Sequence, residues 1–299
     1  MEVLSMSRDL ESKVRLNNGV EMPQLGMGVW KSNNKTAAQS VEWALNDGYR
    51  AIDTAKQYGN EAGVGEGLKK GLADNGLKRE DVFLTTKVFN GDQGYDSTLE
   101  AFEGQLKRLQ TPYVDLLLIH WPVNGKYKET WRALEKIYHE GKARAIGVSN
   151  FNIRRLRDLM KHSSVKPAVN QMEFHPLEQE ADIKEYCDLN DIKLEAWSPL
   201  GGGEALGNPL VKKLAEKYGK STAQIILRWD MQRGIISIPK SAHEKYIQAN
   251  ADIFDFELDD DDIRLINSLN VDKRSIWYGD FRWNGNPDAP VDTVDQWDD

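Results

Sequence analysis

The chain has 299 residues, of which 40% are hydrophobic and 29% are charged. A chain of this size buries enough apolar surface for one large α/β barrel or for two ordinary domains. Its formal net charge of −8 argues against nucleic acid or an anionic membrane as the main partner, because either would require a sustained basic face.

Cysteine content and hydropathy bear on the cellular compartment. Cys187 is the single cysteine, so no internal disulfide can form and the chain suits a reducing environment. The first 13 residues contain no apolar core of the length that a signal peptide needs. The longest apolar run, residues 116–119, is far too short to cross a membrane. We therefore expect a cytoplasmic protein.

The predicted elements begin with a β-hairpin. Residues 14–16 and 20–22 flank Asn17, Asn18 and Gly19, which tolerate the positive φ angles of a tight turn. Beyond the hairpin, short apolar runs alternate with segments of helical periodicity. The expected strands cover residues 25–28, 50–53, 82–87, 114–120, 143–149, 168–172, 193–198 and 235–239. The expected helices cover residues 36–47, 61–72, 97–109, 128–140, 153–160, 181–190 and 223–232, with one more after Ser241.

Eight strand–helix units in about 240 residues have the size and rhythm of a (β/α)8 barrel. Strand runs such as VDLLLI are continuously apolar, which is typical of strands buried on both faces of a parallel sheet. A doubly wound open sheet is the alternative, but no strand is followed by a GxGxxG motif that opens a helix. Gly63, Gly65 and Gly67 lie in a segment with a helical pattern. We therefore predict an α/β fold, a TIM barrel with an N-terminal hairpin, in a single domain over residues 1–299.

The barrel core is expected over about residues 14–275, followed by an irregular C-terminal tail over residues 276–299. The tail is rich in Asp, Pro, Gly and Trp, a composition that opposes regular structure. Its aromatic residues could cover the mouth of the barrel or pack on the barrel wall, and the sequence favours neither. These aromatic residues are Trp277, Tyr278, Phe281 and Trp283.

Four polar residues lie at or just after the carboxyl ends of neighbouring predicted strands, where TIM-barrel enzymes have their active sites. Asp53 ends the second strand and Tyr58 follows it, while Lys87 ends the third strand and His120 ends the fourth. Each residue alone has a structural explanation, as a turn cap, a solvated side chain or a hydrogen-bonded core histidine. Their joint occurrence at neighbouring strand ends indicates a catalytic site.

Motifs along most of the chain resemble, in the same order, those of the aldo-keto reductases. They are DTAKQYGNE (53–61), TTKV (85–88), IHWP (119–122), GVSNF (147–151), NQMEFHP (170–176), WSPLG (197–201) and IPKS (238–241). WSPLG resembles the microbial branch that includes diketogluconate reductases, whereas most relatives carry tyrosine in place of Trp197. The resemblance implies a monomeric NADPH-dependent reductase of small carbonyl compounds that uses no metal ion.

The resemblance assigns catalysis to Asp53, Tyr58, Lys87 and His120. A nicotinamide would supply the hydride, Tyr58 would act as general acid, Asp53 would hold Lys87, and His120 would orient the substrate carbonyl. A free tyrosine has a pKa of about 10, which is too high for efficient proton transfer near neutrality. The Lys87 ammonium is expected to lower the pKa of Tyr58 by at most about 3, and desolvation of the phenolate opposes this effect.

The same resemblance implies a dinucleotide site. Ser149, Asn150 and Gln171 match the positions that hydrogen-bond the nicotinamide carboxamide, and Trp197 matches the ring that stacks on the nicotinamide. The remaining cofactor positions are matched by Ser198, Leu200, Gly201, Lys240, Ser241, Tyr246 and Asn250.

The adenosine end departs from the family pattern. Tyr246 stands where relatives usually have arginine, and Ala249 stands where they have an acidic residue. Losing a charged hydrogen-bond partner costs about 1.5–3 kcal/mol, which is on the order of 10- to 100-fold in NADPH affinity, unless Lys245 or His243 compensates. We therefore expect NADPH as cofactor, with weakened discrimination, and NADH as a usable second cofactor.

Three aromatic residues are predicted to line the substrate pocket. Trp30 follows the first barrel strand, Trp121 follows His120, and Phe89 occupies a position that is often tryptophan in relatives. Aromatic walls around a polar floor suit small aldehydes, α-dicarbonyls and keto-sugars, and do not select among them.

Two other classes of function are compatible with the predicted barrel and its polar residues. A cofactor-binding regulatory protein could share the barrel, because fold alone does not fix function, but the intact set of Tyr58, Lys87 and His120 favours an enzyme. A barrel aldolase or isomerase could use Lys87 as a Schiff base, and the SNF and WSPLG cofactor motifs argue against that reading.

Overall fold

The computed structural model describes residues 10 and 12–274, so the predicted tail lies outside the described residues. Within this part, the strands are β1 (Lys13–Arg15), β2 (Glu21–Pro23), β3 (Met27–Gly28), β4 (Ala51–Asp53), β5 (Phe83–Val88), β6 (Val114–Ile119), β7 (Ala143–Ser149), β8 (Val169–Glu173), β9 (Lys193–Trp197) and β10 (Ile236–Ser237). The helices are α1 (Asn34–Asn46), α2 (Glu61–Asp74), α3 (Tyr95–Leu109), α4 (Tyr127–His139), α5 (Ile153–Met160), α6 (Ala181–Leu189), α7 (Pro209–Tyr218), α8 (Thr222–Gln232), α9 (Glu244–Ala251) and α10 (Asp260–Asn267).

Eight parallel strands form the barrel. They are hydrogen-bonded in chain order from β3 to β10. Parallel bridges between Leu25 and Ser237 and between Gly28 and Lys240 then join the first strand to the last. The predicted (β/α)8 barrel is confirmed.

Side chains alternate between the barrel interior and the surrounding helices, as the period of two in a strand requires. On β6, Leu116 and Leu118 belong to the interior apolar cluster, whereas Leu117 and Ile119 pack in the cluster between strands and helices. Every residue of β5 and β6 is buried, which explains the continuous apolar runs in the sequence.

The predicted N-terminal hairpin closes the amino-terminal end of the barrel. Its strands pair antiparallel, with Val14 opposite Met22, and Gly19 adopts a φ of +87° in the turn. Leu16 and Met22 join the interior apolar cluster. The amide of Asn17 donates to the Pro167 carbonyl, just before β8, at 2.8 Å. The hairpin therefore leaves the opposite, carboxyl-terminal end of the barrel open.

Two helices were not predicted from the sequence, α7 and α10. The signals for α7 are present: the Asn208 side chain accepts a hydrogen bond from the Leu210 amide, Pro209 is the first helical residue, and Gly219 ends the helix at a φ of +64°. The side chain of Asp259 caps α10 in the same way. Among the described residues, no helix combines the length and the apolar character needed to span a membrane.

Candidate active site

A cleft with a volume of about 330 Å³ opens at the carboxyl-terminal end of the barrel. The cleft is lined by residues at the ends of successive strands and by residues of the loops after β9 and β10. They include Gly28, Asp53, His120, Ser149, Gln171, Trp197, Ser198 and Lys240.

Lys87 lies beneath this cleft in a pre-formed cluster. It is completely buried (0% exposed), because it shares the inward parity of Phe83 on β5. Its Nζ donates to the two carboxylate oxygens of Asp53 at 2.7 and 2.9 Å and to the Thr54 carbonyl at 3.0 Å. Nζ also lies 3.2 Å from the hydroxyl of Tyr58. A buried ammonium is tolerated here because every one of these neighbours is an acceptor.

Tyr58 reaches this cluster from the short 3-10 turn Lys56–Tyr58 after β4. An ion pair between Lys56 and Asp92 joins this turn to the 3-10 turn that follows β5. Burial raises the pKa of Tyr58, and the positive charge of Lys87 opposes this without cancelling it. Lys87 and burial therefore act on the pKa of Tyr58 in the two opposite directions that the sequence predicts. Desolvation of the phenolate is the larger effect.

His120 faces the same space from the end of β6. Its ring meets the ring of Tyr58 edge-on, with centroids 5.7 Å apart. Burial, and secondarily the charge of Lys87, hold the pKa of His120 well below its usual value. The imidazole is therefore neutral near pH 7 and can donate one N–H to a ligand.

Polar side chains at the ends of β7 and β8 form a second cluster. The side-chain nitrogen of Asn150 donates to the His120 carbonyl at 3.0 Å and to the Ser149 hydroxyl at 2.9 Å. The indole N–H of Trp197 donates to the side-chain oxygen of Asn150 at 2.9 Å. Gln171 joins this cluster to the first one, since its Nε2 donates to Asp53 at 3.0 Å.

The loop after β9 forms one rim of the cleft. Ser198 has a φ of +52°, and Gly201, Gly202 and Gly203 all have positive φ, which glycine adopts without strain. Ser198, Leu200, Gly202 and Gly203 line the cleft, whereas Gly201 lies outside the lining. A Cβ on Gly201 would lie 3.1 Å from the Nδ1 atom of His175.

The residues predicted for the adenosine end lie partly outside this cleft. Lys240 is exposed on the rim. Ser241, Tyr246 and Asn250 are not among the lining residues; Tyr246 and Asn250 are on α9, where Asn250 is buried and Tyr246 is 52% exposed. His243 meets the ring of Tyr246 edge-on, with centroids 5.8 Å apart.

Of the three predicted pocket aromatics, Trp30 and Trp121 line the cleft and Phe89 does not. Phe89 precedes the 3-10 turn Asn90–Asp92 and is half-buried. Lining residues not identified from the sequence include Gln57, which adjoins Tyr58, and Lys31. Among the described residues, no group of His, Cys, Asp and Glu side chains is arranged to hold a metal ion.

Glu195 is a further residue at this site that was not identified from the sequence. It is buried on β9, and its Oε2 accepts a hydrogen bond of 2.8 Å from Gln171. The signal was available, because the apolar neighbours Leu194 and Ala196 pack outward and the alternation of a strand then directs Glu195 into the barrel.

Comparison with known proteins accounts for this architecture. The model of the aldo/keto reductase family matches residues 22–271. The chain belongs to this family. It is 53% identical to the glyoxal reductase of Bacillus subtilis over 270 residues, which are 90% of this chain and 96% of that protein.

Solved structures of this family agree with the fold. An aldo/keto reductase from Brucella melitensis superposes with a TM-score of 0.82 at 50% identity, covering 86% of this chain and 98% of that one. The Bombyx mori aldo-keto reductase in complex with NADP has a TM-score of 0.85 at 34% identity, covering 93% and 98%. This aldo-keto reductase is thus an NAD(P)H-dependent oxidoreductase of small carbonyl compounds.

Proposed function

We propose that this enzyme reduces small aldehydes and ketones, among them α-dicarbonyls and keto-sugars, with NADPH, and that Tyr58 supplies the proton. The observation that carries the proposal is the contact of 3.2 Å between the Lys87 ammonium and the Tyr58 hydroxyl, directly beneath the cleft. Lys87 is held there by the Asp53 carboxylate at 2.7 Å.

The four candidate catalytic residues divide the reaction between them. Bound NADPH supplies the hydride to the carbonyl carbon. Tyr58 holds its proton near neutrality, because burial raises its pKa, and gives that proton to the carbonyl oxygen. Lys87 stabilises the phenolate that remains, and Asp53 keeps Lys87 in place. Neutral His120 donates an N–H to the carbonyl oxygen and orients it towards Tyr58.

The residues at the ends of β7, β8 and β9 fit the nicotinamide end of the cofactor. Ser149, Asn150 and Gln171 present polar atoms to the cleft, and the ring of Trp197 lines it, which provides hydrogen bonds and stacking for a flat amide-bearing ring. We assign the pyrophosphate and adenosine end to Ser198, Leu200, Gly201, Lys240, Ser241, Tyr246 and Asn250.

Cleft size and similarity support the substrate class. A volume of about 330 Å³ is at the small end for ligand sites, and it must also admit the nicotinamide. Trp30 and Trp121 supply the aromatic walls. Glyoxal, which names the Bacillus subtilis relative, is the smallest α-dicarbonyl.

We also propose that NADH serves as a second cofactor. Lys240 and Ser241 match the positions that meet the 2′-phosphate of NADPH in the family. Lys240 brings one positive charge to the rim, and Tyr246 brings none. A value of kcat/KM more than about 1,000-fold higher with NADPH than with NADH, equivalent to roughly 4 kcal/mol, would contradict this proposal.

The chain is further proposed to work as a single-domain monomer in the cytoplasm. The bridges between Leu25 and Ser237 and between Gly28 and Lys240 support one domain, because they join the first and the last strand of the barrel in one closed sheet. Gel filtration at the concentration of the assay tests the oligomeric state.

The function is tested by the loss of absorbance at 340 nm with NADPH or NADH and a panel of glyoxal, methylglyoxal, an aromatic aldehyde and a keto-sugar acid. Tyr58→Phe removes the proposed acid, so we expect kcat to fall at least about 100-fold while the Kd of NADPH stays close to wild type. Tyr113→Phe, at the opposite end of the barrel before β6, is the matched control. If the protein bound both cofactors but oxidised neither of them with any carbonyl, the alternative of a cofactor-binding regulatory protein would be favoured.

A further inference from the structure

The carboxyl group of Glu195 lies buried under the nicotinamide end of the proposed cofactor site. Its side chain is 0% exposed. Oε2 accepts the hydrogen bond from Nε2 of Gln171, and Oε1 has no hydrogen-bond partner among the described residues. Burying a carboxyl group is costly, so its place in the barrel calls for a reason beyond packing.

Gln171 uses both of its amide hydrogens on carboxyl groups. Nε2 donates to Asp53 at 3.0 Å and to Glu195 at 2.8 Å, and a primary amide nitrogen carries two hydrogens. A flipped amide would place the side-chain oxygen against the Asp53 carboxylate, with an acceptor facing an acceptor. The amide oxygen Oε1 is therefore the atom of Gln171 that is left for a ligand in the cleft.

The backbone of Gln171 is fixed independently of this pair. Its backbone carbonyl oxygen accepts hydrogen bonds from the Ser149 hydroxyl and from the backbone N–H of Asn150, both at 2.9 Å. Loss of the contact with Glu195 would therefore release the side-chain amide of Gln171 without moving its strand.

We propose that Glu195 is a positioning residue, which holds Nε2 of Gln171 so that Oε1 accepts a hydrogen bond from the carboxamide NH2 of the nicotinamide. The inference rests on the proposed cofactor site. It holds in either protonation state of Glu195, because both forms retain an oxygen that accepts from Nε2. Burial, and secondarily the negative charge of Asp53, raise the pKa of Glu195 well above that of a free carboxyl group.

The test compares variants that lack or retain the oxygen atom of residue 195 that accepts from Nε2 of Gln171. It measures cofactor binding rather than turnover. Glu195→Leu and the smaller Glu195→Ala remove this oxygen atom, whereas Glu195→Gln keeps a carbonyl oxygen at the same position. The Kd of NADP+ is measured by quenching of tryptophan fluorescence. It is compared with the Kd of the 3-acetylpyridine analogue, in which a methyl group replaces the carboxamide NH2. Circular dichroism establishes that each variant is folded.

Whichever of the Leu and Ala variants folds is expected to bind NADP+ roughly 3- to 10-fold more weakly than wild type, the effect of one hydrogen bond. The same variant should bind the analogue as wild type does, because the analogue has no NH2 to donate. Glu195→Gln should restore binding of NADP+.

Two results would overturn the role of Glu195. One is a folded Leu or Ala variant that binds NADP+ as tightly as wild type. The other is an equal loss of affinity for NADP+ and for the analogue, which would indicate general damage to the barrel. Failure of the wild-type enzyme to bind NADP+ or NADPH would instead overturn the proposed function, and this inference with it.

Discussion

At the residue scale, the charge state of the cleft follows from what is buried beneath it. Lys87 and Asp53 form an ion pair with side chains 0% and 4% exposed, and this pair keeps a positive charge next to the Tyr58 hydroxyl. Tyr58 remains a neutral acid because its desolvation outweighs that charge. A neutral hydroxyl at this position is what the proposed role of Tyr58 as general acid requires.

The neutrality of His120 leads to a prediction about pH dependence. Its pKa is held well below 6.5, so between pH 6 and 9 the imidazole does not change its charge. We expect no limb near pH 6.5 in the profile of kcat/KM for carbonyl reduction. The profile of wild type is compared with that of His120→Gln; a limb near pH 6.5 that only the wild type shows would mean that His120 titrates.

At the scale of elements, α2 packs against its neighbours with backbone in contact. A Cβ on Gly63 would lie 2.1 Å from the Asn34 carbonyl oxygen, and one on Gly67 would lie 2.4 Å from the Ala38 carbonyl oxygen, both in α1. A Cβ on Gly65 would lie 2.7 Å from the Arg108 carbonyl oxygen in α3. The alternating glycines therefore serve close helix packing, and the sequence was correct in not assigning them to a phosphate loop.

This packing predicts a clear difference between two glycine substitutions. Gly67→Ala forces a methyl group against the backbone of α1 and should lower the free energy of unfolding by about 1–3 kcal/mol. The control is Gly104→Ala in α3, where the nearest atom is the end of the flexible Arg108 side chain at 3.2 Å; it should be neutral or stabilise by about 0.5–1 kcal/mol. Urea unfolding measures both, and equal effects would contradict the packing argument.

A buried carboxyl group between α8 and β10 is expected to make the free energy of unfolding depend on pH. Asp230 is buried, and burial raises its pKa to about 8 although the Ser237 hydroxyl donates to it at 2.6 Å. The folded protein therefore binds a proton that the unfolded chain releases at a pKa of about 4. Wild-type stability falls as pH rises between these two values, and this contribution is absent in Asp230→Asn.

The free energy of unfolding of Asp230→Asn, minus that of wild type, should thus rise between pH 4 and 8 by up to about 1.4 kcal/mol per pH unit. Urea unfolding at several pH values measures this difference. Asp96→Asn, which removes a carboxylate at an exposed position on α3, is the control for the loss of a negative charge. A difference for Asp230→Asn that changes with pH no more than the difference for Asp96→Asn would contradict the prediction.

At the scale of the whole molecule, closure of the barrel makes the described residues interdependent. The β3 region is bridged to the β10 region, so the sheet has no free edge at which one half could open alone. We expect urea unfolding followed by far-UV circular dichroism and by tryptophan fluorescence to give one coincident transition. Two separate transitions would contradict the single-domain proposal.

Binding of the cofactor should stabilise this unit as a whole. NADPH at 100 times its Kd should raise the free energy of unfolding by about 2.7 kcal/mol. Tyr58→Phe should show the same increase, since the proposed acid does not hold the cofactor. An increase confined to the wild type would place Tyr58 in cofactor binding.

The sequence by itself determined the barrel and the positions of the four candidate catalytic residues, because both depend on local patterns. Apolar runs marked the buried strands, and a polar residue directly after such a run, as His120 is after β6, had to lie at the mouth of the barrel. Caps such as Asn208 before α7 were equally local, and their helix was missed although its signals were present.

Only the tertiary structure decided the direction in which the pKa of Tyr58 shifts and the orientation of Gln171. The pKa of Tyr58 depends on the balance between burial and the charge of Lys87, and burial is a property of the assembled barrel. The amide of Gln171 is fixed by Asp53, which is 118 positions away in the chain, and by Glu195 on the next strand. Such contacts between distant residues have no local sequence pattern, because they form when the curvature of the sheet brings the strand ends together.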